Sequence, residues 1–312
     1  MSSYPDPYGE ELKLALARRH GMRPAEVLIG NGSTQLIYLL CGALRPRTAL
    51  VVGPAFSEYA NALTLAGADV RVLSNPADGT CQFSARRLMA AWEKNCDVIF
   101  LATPNSVTGQ SIPRTEIASI ARAAMSRNSL VVVDEAFVDF SETDSIKTLV
   151  RNNPNLIVLR SLTKYYALPG IRLGFLFGEA HRIAWLAAFQ EPWAVNAPAL
   201  TVGLACLEDK GFTAQTDRWL AMEKEFLFRR LTALEGFRPL PSKTNFLLVR
   251  IEKFGGSASQ LRAFLMREKV LIRTCDSFTG LGVDYFRIAV KRRKDNRRLL
   301  GALRRWSESL NG

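Results

Sequence analysis

Histidine is nearly absent from this chain. Its 312 residues include only His20 and His181, too few for a histidine-based metal centre. Cys41, Cys81, Cys96, Cys206 and Cys275 are odd in number, scattered, and never in Cys-x-x-Cys spacing. That excludes a zinc or disulfide framework and leaves packing residues in a reducing compartment, with no metal expected. No apolar run approaches the roughly 18 residues of a membrane helix. The opening Met1-Ser2-Ser3-Tyr4-Pro5 is not a signal peptide. The expectation is a cytoplasmic protein with no membrane partner. Internal repeats and low-complexity linkers are also missing.

Acidic residues are in deficit, 29 Asp and Glu against 41 Lys and Arg, for a net charge of +12. Much of the excess lies in Lys291-Arg292-Arg293-Lys294-Asp295-Asn296-Arg297-Arg298 and Arg304-Arg305. Clustered cations are the footprint of nucleic-acid binding. Leu299, Leu300, Leu303 and Trp306 recur there at helical spacing, however, and favour an amphipathic helix with a solvated basic face and no nucleic-acid partner. Positive potential also draws in anionic substrates. Hydrophobic content of 48% and charged content of 22% fit a soluble globular enzyme.

Helical patterns alternate with short apolar strands. Glu10 to His20 reads as a helix stopped by Gly21. Strands are expected at Val27–Ile29, Ala49–Val52, Asp69–Leu73, Asp97–Leu101, Ser129–Asp134 and Leu156–Leu159. Helices are expected at Gly30–Leu44, Ser57–Ala66 and Thr115–Arg127. This alternation predicts an α/β fold with a mostly parallel sheet covered on both faces. From about Asp209 the pattern changes. A long helix around Trp219 to Leu234, a helix near Ser257 to Arg267, and the runs Phe246–Val249 and Tyr285–Val290 imply a smaller α+β domain. The division is 13–208 for the large domain and 209–312 for the small one.

The richest stretch is Ser161-Leu162-Thr163-Lys164, followed by Arg172 and Gly174. A lysine becomes a good nucleophile when apolar surroundings or a nearby cation depress its pKa. Ser161, Thr163 and Arg172 suit a phosphate beside it. An amine nucleophile next to a phosphate site is the requirement of pyridoxal phosphate chemistry. Gly30-Asn31-Gly32-Ser33-Thr34 lies between a strand and a helix, where Gly32, Ser33 and Thr34 can offer backbone N–H groups to that phosphate. Asp134 ends an apolar strand, where open α/β sheets bind ligands. It is the candidate partner of a pyridine nitrogen. Phe56, at another strand end, could lie against the cofactor ring. Asn105 and Ser106 share a third such loop, and either could contact the cofactor's 3-oxygen.

The lysine segment resembles the S-x-[ST]-K…R-x-G motif of fold-type I pyridoxal phosphate enzymes. Along essentially its whole length the chain is similar to the threonine-phosphate decarboxylases of cobalamin biosynthesis, relatives of the histidinol-phosphate aminotransferases. The shared segments are Tyr4-Pro5-Asp6, Ile29-Gly30-Asn31-Gly32, Pro54-Ala55-Phe56-Ser57-Glu58-Tyr59 and Asp134-Glu135-Ala136-Phe137-Val138-Asp139-Phe140. Three details favour the decarboxylases: Pro192-Trp193-Ala194-Val195-Asn196-Ala197, Leu271-Ile272-Arg273-Thr274-Cys275, and Phe137 where the aminotransferases usually carry tyrosine. The family's N-P-T-G loop aligns with Ser106-Val107-Thr108-Gly109. The resemblance implies that Lys164 and Asp134 are catalytic, that Arg287 binds the substrate α-carboxylate, and that Arg273 binds the phosphate of a phosphorylated amino acid. It also implies a homodimer in which Tyr4 reaches the neighbour's cofactor phosphate. Residues 1–12 read as the remnant of an N-terminal arm whose S-A-N-x-N-P segment is absent. The alternatives are a histidinol-phosphate or related aminotransferase, and a catalytically impaired binding or regulatory protein.

Overall fold

The computed structural model describes residues 4–74, 81–92, 95–253 and 256–311. Helix α1 (Glu10–His20) buries Leu12, Leu16 and Ala17 on one stripe. It ends at Gly21, whose positive φ of 63° lets its N–H turn back to the carbonyls of Ala17 and Arg18.

A seven-stranded sheet follows. Its strands are β1 (Val27–Gly30), β2 (Thr48–Val52), β3 (Asp69–Leu73), β4 (Val98–Ala102), β5 (Leu130–Asp134), β6 (Leu156–Ser161) and β7 (Gly174–Phe177). They lie in the order β1-β7-β6-β5-β4-β2-β3. All pairings from β3 to β6 are parallel, whereas β7 runs antiparallel to both β6 and β1. Every residue of β4, β5 and β6 is buried, as a sheet covered on both faces requires. The period-2 geometry divides each strand between two cores: Ile99, Leu101, Val131 and Val133 face one, and Val98, Phe100, Leu130 and Val132 the other. Helices α2 (Gly32–Leu44), α3 (Ser57–Leu65), α4 (Ala85–Ala91) and α5 (Arg114–Arg127) connect the strands. The short α6 (Leu162–Tyr165), then α7 (Ala180–Ala187) and α8 (Ala197–Glu208), complete this part.

Helix α9 (Lys210–Thr232) leads into a second, antiparallel sheet of β8 (Phe237–Pro239), β9 (Phe246–Ile251), β10 (Arg273–Thr274) and β11 (Tyr285–Ala289), in the order β10-β11-β9-β8. Helices α10 (Ala258–Arg267) and α11 (Arg293–Asn311) pack with α9 on a third core. In α11, Leu299, Leu303 and Trp306 are buried while Arg297, Arg298, Arg304 and Arg305 are exposed. The basic cluster is thus the outer face of an amphipathic helix, as its spacing predicts.

The structure differs from the sequence reading at a few places. Helix α9 begins nine residues before Trp219, because the Asp209 carboxylate caps it by accepting the Phe212 N–H at 2.8 Å. Strand β7 is only four residues long, too short for an alternating pattern to announce it, yet it closes the sheet between β1 and β6.

Candidate active site

Four parallel strands, β2, β4, β5 and β6, end side by side, and each C-terminal edge carries part of the site. Asp134 is the last residue of β5 and is buried. Its Oδ1 accepts the Ala136 N–H at 2.7 Å, and its Oδ2 accepts the Tyr59 hydroxyl at 2.5 Å. Burial pushes the Asp134 carboxyl up, while Tyr59, the Ala136 N–H and the charge of Lys164 pull it back. Burial, then the Asp134 charge, also keeps the Tyr59 phenol protonated, so Tyr59 is the donor. Tyr59 is held by ring stacking on Phe100 at 5.2 Å. Phe56 meets Tyr59 edge-on at 5.8 Å and is 37% exposed.

Lys164 lies in α6, directly after β6. Desolvation lowers its pKa, Arg172 and Arg287 add to the lowering, and Asp134 opposes it. Its Nζ is 5.8 Å from the centroid of the Phe137 ring, which has no hydroxyl to offer. Ser161 and Thr163 are buried, with their hydroxyl oxygens 2.8 Å apart. The turn from β1 to α2 passes close by. Gly32 has φ +76°, and a Cβ there would stand 2.7 Å from Arg172 Nη2. A Cβ on Gly174 would stand 2.3 Å from the Ser33 nitrogen, so β7 can approach this turn only with glycine. No side chain caps the first turn of α2, where Gly32, Ser33 and Thr34 lie at the positive end of the helix dipole. Gly32–Thr34, Ser161, Thr163, Lys164 and Arg172 are therefore drawn together from three segments of the chain.

The loop after β4 separates Asn105 from Ser106. Asn105 Nδ2 donates to the Pro54 carbonyl at 2.9 Å, and Oδ1 accepts the N–H groups of Val107 and Thr108, both at 2.9 Å. Asn105 is thus a brace that ties this loop to the Phe56 loop. Ser106, the other candidate for the cofactor oxygen, keeps its hydroxyl out of that brace. Its carbonyl accepts a hydrogen bond from Arg287 Nη1.

Arg273 and Arg287 are direct cross-strand partners on β10 and β11. Both line a cavity of about 550 Å³ that also includes Phe137 and Phe246. The Arg287 guanidinium stands 4.7 Å over the Phe246 ring. At the other end of the chain, Tyr4 is 85% exposed and rests on Trp193, ring centroids 5.2 Å apart. Trp193 donates its indole N–H to the Pro5 carbonyl and its backbone N–H to the Pro7 carbonyl.

A model of the class I and II aminotransferases matches residues 1–303. The chain belongs to that family. It is 38% identical to the threonine-phosphate decarboxylase of Salmonella typhimurium, over 96% of this chain and 82% of that protein. A histidinol-phosphate aminotransferase from Roseiflexus castenholzii is 33% identical, over 96% and 80%. The crystal structure of the L-threonine-O-3-phosphate decarboxylase from Porphyromonas gingivalis superposes with a TM-score of 0.84 at 29% identity, covering 98% of this chain and 91% of that one. Fold-type I architecture and dependence on pyridoxal phosphate come with the family. The residues here fit that cofactor: a glycine cradle beside Arg172, paired buried hydroxyls, an accessible lysine of lowered pKa, and a buried carboxylate at the neighbouring strand end.

Sequence reasoning did not single out three further residues. Tyr59 falls within a quoted segment, one helical turn beyond Phe56, but nothing in the spacing ties it to Asp134. Glu135 and Arg160 are wholly buried. Arg160 Nη1 donates to Glu135 Oε2 at 3.0 Å, and Nη2 to Asp139 at 2.7 Å and Glu142 at 2.5 Å. This network locks the turn after Asp134 onto the strand that delivers Lys164.

The Asp134–Tyr59 contact has a testable consequence. Tyr59→Phe removes a donor to a buried carboxylate, a change worth about 1.5–3 kcal/mol. Because Tyr59 holds the Asp134 pKa down, the acid limb of the kcat/KM profile should move to higher pH in the variant. An unmoved limb would show that Tyr59 does not tune Asp134.

Proposed function

We propose that this protein decarboxylates O-phospho-L-threonine to aminopropanol phosphate, as a cytoplasmic, homodimeric enzyme of cobalamin biosynthesis. The observation that carries the reading is the arginine-lined cavity bounded by Phe137, whose ring lies 5.8 Å from Lys164 Nζ, together with the decarboxylase relative at 38% identity. Bound at Lys164, pyridoxal phosphate supplies an electron sink for the pair released when a bond at the substrate Cα breaks.

The chain's own residues would act as follows. Gly32, Ser33, Thr34, Ser161, Thr163 and Arg172 hold the cofactor phosphate, and Phe56 covers the ring. Asp134 keeps a proton on the ring nitrogen, and Ser106 is the side chain available to the 3-oxygen. Arg287 takes the substrate carboxylate and Arg273 its phosphate. Guanidinium forks suit both anions. Binding energy from the remote phosphate could then be spent on orienting the Cα–carboxylate bond for cleavage. Lys164 Nζ is the group placed to return a proton to Cα after carbon dioxide leaves.

The exposed rings of Tyr4, Tyr8, Phe189 and Trp193 support burial against a second copy, with Tyr4 completing the partner's phosphate site. A relic serving only to bind would not need Lys164, Asp134, Arg273 and Arg287 together. Asp134→Asn tests the chemistry. It should still bind cofactor but lose about 10²-fold or more of decarboxylation, since a neutral amide cannot keep the ring nitrogen protonated. Carbon dioxide release at the wild-type rate would remove Asp134 from the mechanism.

A further inference from the structure

The arginine-lined cavity contains a third cation that neither the motifs nor the assigned roles use. Arg262 lines it together with Arg273 and Arg287, and no carboxylate is among the lining residues. Among the described residues, no ion pair engages any of the three guanidinium groups. Arg262 projects from α10, which is fixed on the small-domain core through the buried residues Leu261 and Leu265. The capping box formed by Ser257 and Gln260 starts that helix. Arg262 is thus carried on a rigid element, whereas Arg273 and Arg287 sit directly opposite each other on adjacent strands.

Like charges opposite one another on a strand pair are unfavourable, and a third brings no relief within the chain. One fork is already committed in part, because Arg287 donates to the Ser106 carbonyl. A substrate carrying one carboxylate and one phosphate monoester brings close to three negative charges. With Arg287 on the carboxylate, Arg273 alone leaves a dianionic phosphate under-neutralised, and Arg262 supplies the second cation.

Resting on the reading of this cavity as the site of a phosphorylated amino acid, we propose that Arg262 is a substrate-binding residue. With Arg273 it clamps the phosphate from the helix side and sets the preference for a dianionic phosphate over a singly charged or neutral group. The cavity is thereby specified for phosphate monoesters by a helix residue as well as by the strand arginines.

The test uses the cofactor-loaded protein, Arg262→Gln and Arg262→Lys, with Arg273→Gln as the comparison. Inorganic phosphate binding, followed by calorimetry, should weaken about tenfold in Arg262→Gln and recover partly in Arg262→Lys. KM for O-phospho-L-threonine should rise by a similar factor, and any fall in kcat from poorer orientation should be smaller than the rise in KM. Phosphate affinity and KM both equal to wild type in Arg262→Gln would overturn the proposal. A drop in kcat alone would do so too, since it would mark a structural role. If phosphate affinity falls tenfold while wild-type protein releases no carbon dioxide from O-phospho-L-threonine, the clamp stands and the decarboxylase reading fails.

Discussion

Lys164→Ala should lose turnover by about 10³-fold or more and show no visible absorption from lysine-bound cofactor. The variant removes the amine proposed both to anchor the cofactor and to return the proton to the substrate Cα. Lys164→Arg should fail as well, because a guanidinium stays protonated and is no nucleophile. The fold should not suffer. Desolvation, Arg172 and Arg287 all disfavour the Lys164 ammonium, so the apoprotein of the alanine variant should melt no lower than wild type. The lowered pKa also has a kinetic signature. Only the neutral amine captures the cofactor, so the capture rate should rise with pH and level off below the ordinary lysine value of 10.5. A capture rate still climbing at that pH would contradict the environment described for this lysine.

Arg160→Met should be the most damaging change away from the chemistry. The residue is fully buried and faces three carboxylates: Glu135, Asp139 and Glu142. Removing one partner of a buried ion pair costs about 3–5 kcal/mol, because the remaining charge stays desolvated. Burial already pushes the Glu135 carboxyl up, and Arg160 is the first group opposing that rise. Without Arg160 the folded state would hold Glu135 protonated at a higher pH than the unfolded chain does. The variant's stability deficit should therefore grow as pH rises through that interval. Thermal melts at acidic and neutral pH measure this. Pairing Arg160→Met with Glu135→Leu should recover part of the loss. The consequence for function is local, since Glu135 adjoins Asp134 and Arg160 adjoins Ser161. A melting temperature unchanged by Arg160→Met would refute the network's structural role.

The parallel sheet was legible because its strands are continuous apolar runs such as Val98-Ile99-Phe100-Leu101, each bounded by a helix pattern. Lys164, its neighbouring hydroxyls and the glycine turn stood out as candidates because each keeps a fixed spacing within one short segment. What the sequence could not resolve involves pairs distant along the chain. Tyr59 and Asp134 meet across 75 residues, and no local pattern marks such a contact. The brace from Asn105 to the Pro54 carbonyl, 51 residues away, is likewise invisible to any local pattern. Arg262 carries no motif of its own, and only the fold brings it to the cavity that Arg273 and Arg287 line.

The central claim is that this site directs bond breaking to the carboxylate. It is tested most directly by giving the cofactor-loaded protein O-phospho-L-threonine and histidinol phosphate side by side, with 2-oxoglutarate present, and analysing the products. Carbon dioxide and aminopropanol phosphate are expected from the first, and no glutamate from the second. Glutamate formed from histidinol phosphate, with no carbon dioxide from phosphothreonine, would contradict it.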